Sequence, residues 1–538
     1  MMQRHFRSVM VAVSALAGAA FDAQAWGPVA QRAIVGTAFQ AISRGYSNPF
    51  KTTEVNYEAD VIAGALSGRA ILEAGSHIRT DRDAINQIGT EIQLLRDAKR
   101  MGSGGSYFAF RMGVLASLVS DVVFPLTFAD DPTGQRLRQQ VESDVDKNLE
   151  SFQIRSRNQR LQYMRYPAQY FTERRAKFAH ARTIIEADYA SGRGYNGYMR
   201  EAGPALVHVS VEAVADAWFT VLRVEGDPSD VKPSSRSLSE YFCDQVVYLL
   251  REKRNYREAE KVYRQFAAMD SPILAQYERI GDAFYEFGTR ESRDRGVQEW
   301  TGALSKTGPE RGRLMNKLSA HYLEVGKAYL QLARRPKAPM DALPNALQNF
   351  TKALEYNRGS EEAASLINET QIAIAERDER LRVAIQTVAA AESVEKQAET
   401  SQVQDLNVEA ISLLKKAISL FSTVGDEFEE QSNAAREGED RSRRAINRII
   451  GKVLEQAADK IDEGDRLVED KRFDDAMNQY RAVDTLLKPL PEDVITGPQQ
   501  QEKVTLVAQA EQKVLDAEKA KRAQEAADAS RGAAAGTP

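Results

Sequence analysis

Apolar residues recur every three or four positions along most of this chain, and strict alternation is scarce. That spacing marks helices with one buried face. In the first two-fifths it predicts helices over 29–41, 57–72, 84–100, 108–123 and 205–222. Tyr46-Ser47-Asn48-Pro49 and Gly102-Ser103-Gly104-Gly105 interrupt the pattern and read as loops, the second of them flexible. Asp130-Asp131-Pro132 reads as a turn able to cap a following helix. Residues 225–237 hold two prolines, four serines and little to bury, which is the composition of a linker.

From residue 238 the pattern changes to helical pairs. Gly281 and Phe284 occupy the small and aromatic positions of a first helix, as do Gly326 and Tyr329. Ala346, Phe350 and Ala353 fit a second helix, and Gly464, Ala476 and Tyr480 stand twelve and four residues apart. Asn255-Tyr256-Arg257-Glu258-Ala259 and Lys471-Arg472-Phe473-Asp474-Asp475-Ala476 repeat one phrase: a turn, an aromatic, then the alanine that opens a helix. Over roughly 238–490 this resembles the tetratricopeptide family, in which helical hairpins stack into a solenoid. The expected layout is repeats over 238–360, long charged helices over 361–460, another hairpin over 461–515, and a tail over 516–538 that ends in disorder. Leu413, Leu414, Ala417, Leu420 and Phe421 mark the apolar face within the charged stretch, and the opposite face reads as solvated.

Composition narrows the classes. The 538 residues are 43% hydrophobic and 28% charged, enough for packed cores in three or four domains. Ala, Glu, Lys, Gln and Leu dominate the second half, so the fold class is all-α. A net charge of −5 argues against a nucleic-acid coat protein or a polybasic membrane binder. One cysteine, Cys243, excludes a disulfide framework, a zinc ribbon and an iron–sulfur site within one chain. Arg4 and Arg7, the apolar run 9–20 and Ala23-Gln24-Ala25 form a signal-peptide pattern over 1–25, with cleavage before Trp26. The chain is therefore expected to be exported, periplasmic or secreted, with no transmembrane span. Phosphate-loop, dinucleotide-binding, H-E-x-x-H and G-x-S-x-G motifs do not occur. The stretch 160–175, with Tyr163, Tyr170 and Phe171, is expected to pack the first domain while its arginine tips stay in solvent.

Candidate chemistry lies in 26–224. The features are Trp26-Gly27 at the cleavage site, a 110–126 segment containing Asp121 and Pro125-Leu126, and His208 with Glu212 one helical turn apart. Together they resemble the zinc-dependent phospholipase C family, related to the S1/P1 nucleases. The resemblance implies a helical domain whose ligands hold zinc and activate water against phosphodiesters of lipid or nucleotide type. It assigns metal-ligand positions to Trp26 (through its free amine), Asp60, His77, Asp121, His208 and Glu212, with Asp121 the catalytic candidate. Three departures reduce that set: Gln31, Ser117 and Thr127 stand where the family has histidines. Zinc is therefore expected at reduced stoichiometry or not at all, because tight sites need three or four good ligands. Plainer roles stay open: His208 as a core residue, Trp26 as an apolar plug, Asp60 at the surface, and Asp121 paired with Arg79 or Arg111. His180 and His321 are expected to be structural. The functional expectation is an exported scaffold that binds a protein partner through its repeats and carries a degenerate phospholipase-like domain. The alternative is a metal-dependent phosphodiesterase with a reduced site.

Overall fold

The computed structural model describes residues 26–45, 50, 56–73, 78, 80–127, 132–154, 160–223 and 234–534. It is all-α: no strand occurs among the described residues, and one isolated bridge joins Ile273 to Thr307. The expected signal peptide (1–25) and most of the expected linker lie outside the described residues. The chain divides into two compact units, Met1–Leu314 and Met315–Pro538.

The first unit is built on α1 (Pro28–Gly45), α2 (Glu58–Glu73), α3 (Asp81–Arg100) and α4 (Gly105–Val123). It continues with α5 (Pro132–Asn148), α6 (Pro167–Ala176), α7 (Ala181–Ala190) and α8 (Tyr198–Leu222). Thr80 starts α3 with a capping box: its hydroxyl accepts from Asp83 N at 3.2 Å, and the Asp83 carboxylate accepts from Thr80 N at 3.0 Å. Such a cap stabilises a helix by about 1 kcal/mol. Helices α2 and α4 cross at two glycines: a β-carbon on Gly64 would collide with the Phe110 carbonyl, and one on Gly113 with that of Val61. Helix α8 packs on α4, where the Trp218 indole donates to Met112 O at 2.8 Å. Both α4 and α8 are long and apolar enough to cross a membrane, yet most of each is buried inside this unit.

Four further helices belong to the same unit: α9 (Ser235–Arg251), α10 (Tyr256–Ala267), α11 (Leu274–Phe287) and α12 (Arg290–Ala303). Helix α9 starts three residues before the expected boundary at 238, because Ser234 Oγ accepts from Ser237 N at 3.2 Å. Tyr241 and Tyr248 of α9 pack on Tyr107 and Phe110 of α4, with ring centroids 5.0–5.3 Å apart. The 102–105 loop is pinned rather than flexible. Ser103 Oγ hydrogen-bonds Tyr241 OH at 2.9 Å, and Gly102 and Gly105 supply the left-handed backbone of the turn.

The division falls inside α13 (Arg311–Ala333). The second unit continues with α14 (Ala342–Tyr356), α15 (Glu361–Val403), α16 (Asn407–Phe421), α17 (Glu429–Glu469), α18 (Phe473–Leu487) and α19 (Gly497–Ala534). From α14 onward, consecutive helices pack on one another in pairs. Glycine against aromatic recurs at the close crossings. Gly326 faces the ring of Phe350, Gly438 that of Phe421, and Gly464 that of Tyr480. Leu414, Ala417 and Phe421 are buried, and Leu413 and Leu420 are partly covered, as the apolar face of 361–460 predicts. Helix α19 runs on to Ala534, and the last four residues lie outside the described set.

Candidate metal centre

The candidate ligands fall into three places. On α8, the four-residue spacing brings His208 and Glu212 together, with Nε2 3.0 Å from Glu212 Oε1. The other Glu212 oxygen takes a hydrogen bond from Arg174 Nη1 at 3.1 Å, and Arg174 Nη2 reaches Asp216 at 3.3 Å. Asp216 also accepts from Tyr170 OH at 2.6 Å and from Gln162 N at 2.7 Å. Burial raises the Asp216 carboxyl above its ordinary value, while these hydrogen bonds and the guanidinium oppose the rise. Glu212 is thus part of a network organised by an arginine. The sequence reading put the tips of these arginines in solvent; Arg174 and Arg175 are instead engaged, and Arg175 Nη1 donates to Val122 O at 2.6 Å.

The second place surrounds Asp121, which is fully buried near the end of α4. Trp26 lies beside it, 1% exposed, with its indole N–H donating to Ser120 O at 3.2 Å and its ring 4.6 Å from that of Phe124. Gln31 Oε1 accepts from Ser120 Oγ at 3.0 Å, and the Thr127 hydroxyl donates to the main-chain carbonyl of Asp121. The residues that replace histidines at positions 31 and 127 therefore do gather around Trp26 and Asp121, and Ser117 lies one turn away on α4. Gln31 and Thr127 act there as a hydrogen-bonding amide and hydroxyl, while the Ser117 hydroxyl is buried and makes no hydrogen bond among the described residues. Glu142 completes the surroundings, 3.0 Å from Arg138. Burial pushes the Glu142 carboxyl up to about 8; Arg138 opposes the shift, and the charges of Asp121 and Asp146 add to it. Asp146 caps α1 by accepting from Ala30 N at 2.8 Å and Val29 N at 3.2 Å, where the helix dipole favours a negative charge.

Asp60 is elsewhere. It is buried rather than at the surface, and lines a cavity with Gly105, Ser106 and Tyr107 at the start of α4. Asp121 follows Tyr107 by fourteen residues, a rise of roughly 20 Å along the helix axis. The Asp60 carboxylate accepts from Tyr248 OH at 2.6 Å and pairs with the Lys253 ammonium. The pairing of Asp121 with Arg111 does not occur: Arg111 binds Glu91 bidentately, at 2.9 and 2.7 Å. His77 and Arg79 lie outside the described residues.

Among the described residues no three His, Cys, Asp or Glu side chains are grouped to hold a metal ion. The donors among the described residues, which do not include His77, do not fit a zinc cluster. Trp26 and Asp121 are adjacent, but amide and hydroxyl neighbours replace imidazoles, and Asp60 and Glu212 are ion-paired to Lys253 and Arg174. Tyr248, Lys253, Arg174 and Asp216 carry no local motif, since each meets its partner across 38 to 193 positions of sequence. No protein-family model matches the chain, and no curated protein matches it either.

Proposed function

We propose that this chain is an exported, non-catalytic interaction protein. In this reading its helical hairpins serve as a platform for a protein partner, and its first helices form a degenerate phospholipase-like domain. The observation that carries the reading is the capture of Asp60 by Lys253 and Tyr248. An ammonium stands against a carboxylate that the resemblance assigns to metal, and it comes from the turn after α9 rather than from the resembling region. Glu212 is engaged in the same way by Arg174. Stacked helical pairs offer extended surfaces for binding by their geometry alone.

The test is elemental mass spectrometry on full-length protein secreted by its own leader and purified without chelators, with hydrolysis of bis-p-nitrophenyl phosphate as the parallel assay. The reading expects far less than one zinc per chain and no hydrolysis above background. Two or three zinc ions per chain, with hydrolysis lost in Asp121→Asn, would overturn it in favour of a phosphodiesterase. The platform is tested by photo-crosslinking in the producing cell from exposed Ile372 and Ile385 of α15, with Ile184 of α7 as the comparison. Adducts with a discrete protein are expected from α15 alone.

A further inference from the structure

Within the first unit, α2, α3 and α4 face α9 and α11 across a cleft of about 1500 Å³. A single small molecule fills roughly 300–1000 Å³, so this space suits an extended chain. Among the described residues five acidic and five basic side chains line it, and they largely neutralise one another: Arg111 with Glu91, Arg279 with Glu240 and Asp244, Lys253 with Asp60. A lining whose described charges balance does not select a polyanion.

Its floor nevertheless holds unspent hydrogen-bonding capacity. Arg111 is 7% exposed and uses Nε and Nη2 on Glu91. It makes no further hydrogen bond among the described residues, which leaves the two N–H bonds of Nη1 to the cleft it lines. Tyr107 is 4% exposed; its hydroxyl makes no hydrogen bond to a described residue and sits close enough to Asp244 and Arg111 to feel both charges. Asp244 binds Arg279 through Oδ1, and Asp60 is held through Oδ1, so one oxygen of each carboxylate remains. Beside these groups stand the half-buried rings of Phe110 and Tyr248, with centroids 5.0 Å apart.

We propose that this cleft binds an oligosaccharide. A sugar hydroxyl both donates and accepts, and so can satisfy Arg111 and the free carboxylate oxygens in turn, while a pyranose C–H face lies on Phe110 and Tyr248. Peptide modes fit less well. Strand addition needs a sheet edge, and an amphipathic helix needs an apolar floor, where this one carries Glu91, Arg111 and Asp244. A proline-rich segment offers carbonyl acceptors and leaves the carboxylate oxygens without donors.

The test is calorimetric titration of the full-length protein with cellopentaose, maltopentaose and chitopentaose, alongside a broad glycan microarray. At least one saccharide is expected to bind. Tyr107→Phe removes one hydroxyl and keeps the ring, and should weaken binding roughly fivefold, one hydrogen bond's worth, at unchanged melting temperature. Asp244→Asn keeps the shape but also weakens the pair with Arg279, so it should weaken binding at least roughly fivefold and lower the melting temperature slightly. Absence of binding in both formats overturns the proposal, as does binding that both variants leave unaltered. A proline-rich peptide that binds instead, and is weakened by Tyr107→Phe, also overturns it.

Discussion

Arg174 shows how much of the first unit rests on single cations. It joins Glu212 and Asp216 and lies over the Tyr170 ring at 4.3 Å. Arg174→Ala leaves two largely buried carboxylates without their guanidinium, and should cost about 3 kcal/mol, read as a lower urea midpoint. Glu142 makes a pH prediction of definite sign. Its folded value of about 8 exceeds the ordinary 4.5, so the folded state holds the extra proton between those limits. Stability from this group is full below pH 4.5, falls as pH rises towards 8 and is level above it. Glu142→Gln should flatten that slope and raise the melting temperature at pH 8.5 relative to wild type, measured by scanning calorimetry from pH 5 to 9. Cys243 is buried, and burial pushes its thiol well up. It should resist Ellman's reagent in the folded protein and react on denaturation.

At the scale of elements, what could be read from the sequence was the helical period, and what could not was decided by partners far along the chain. The expected 57–72 and 108–123 correspond closely to α2 and α4. The expected 205–222 began seven residues late, because Pro204 looks like a first-turn residue and instead lies inside α8. For α3, the capping residues Thr80 and Asp83 precede the first apolar position, so a search on hydrophobic period starts too late. The candidate site was half legible. His208 and Glu212 needed only an i, i+4 rule, and Trp26 does come to Asp121, but Lys253 at Asp60 depends on tertiary packing. The α2–α4 crossing yields the sharpest test. Gly64→Ala or Gly113→Ala must push two backbones apart, and a loss of about 3 kcal/mol or more is expected in equilibrium unfolding. Gly36→Ala on α1 meets nothing within 4 Å and should be neutral or slightly stabilising, since alanine is the better helix former.

For the whole molecule, the linker at 225–237 suggested a boundary that the packing does not follow. Aromatic contacts from Tyr241 and Tyr248 to α4 place α9–α12 with the N-terminal helices, and the division comes at Leu314. Prolines and serines report a break in regular structure; they do not report which side chains later pack across it. A fragment beginning at Glu310, which leaves α13 intact, should therefore fold alone into a cooperative helical unit, checked by circular dichroism and thermal melting. A fragment ending at residue 224 should expose Tyr107 and Phe110 and aggregate.

Helix α15 has 43 residues, about 65 Å of unbroken rise. Ala373 and Ile374 pack into the cluster around Phe350, and Val388 into the one around Phe421. The span between them is thus a ruler of roughly 21 Å, and it has an angular graduation as well as a length. One inserted residue near Arg382 lengthens it by only about 1.5 Å but turns one hairpin group by about 100° relative to the other. Inserting seven, close to two full turns, stretches the ruler further and nearly restores the angle. A partner that touches both hairpin groups should tolerate the longer insertion better than the shorter one.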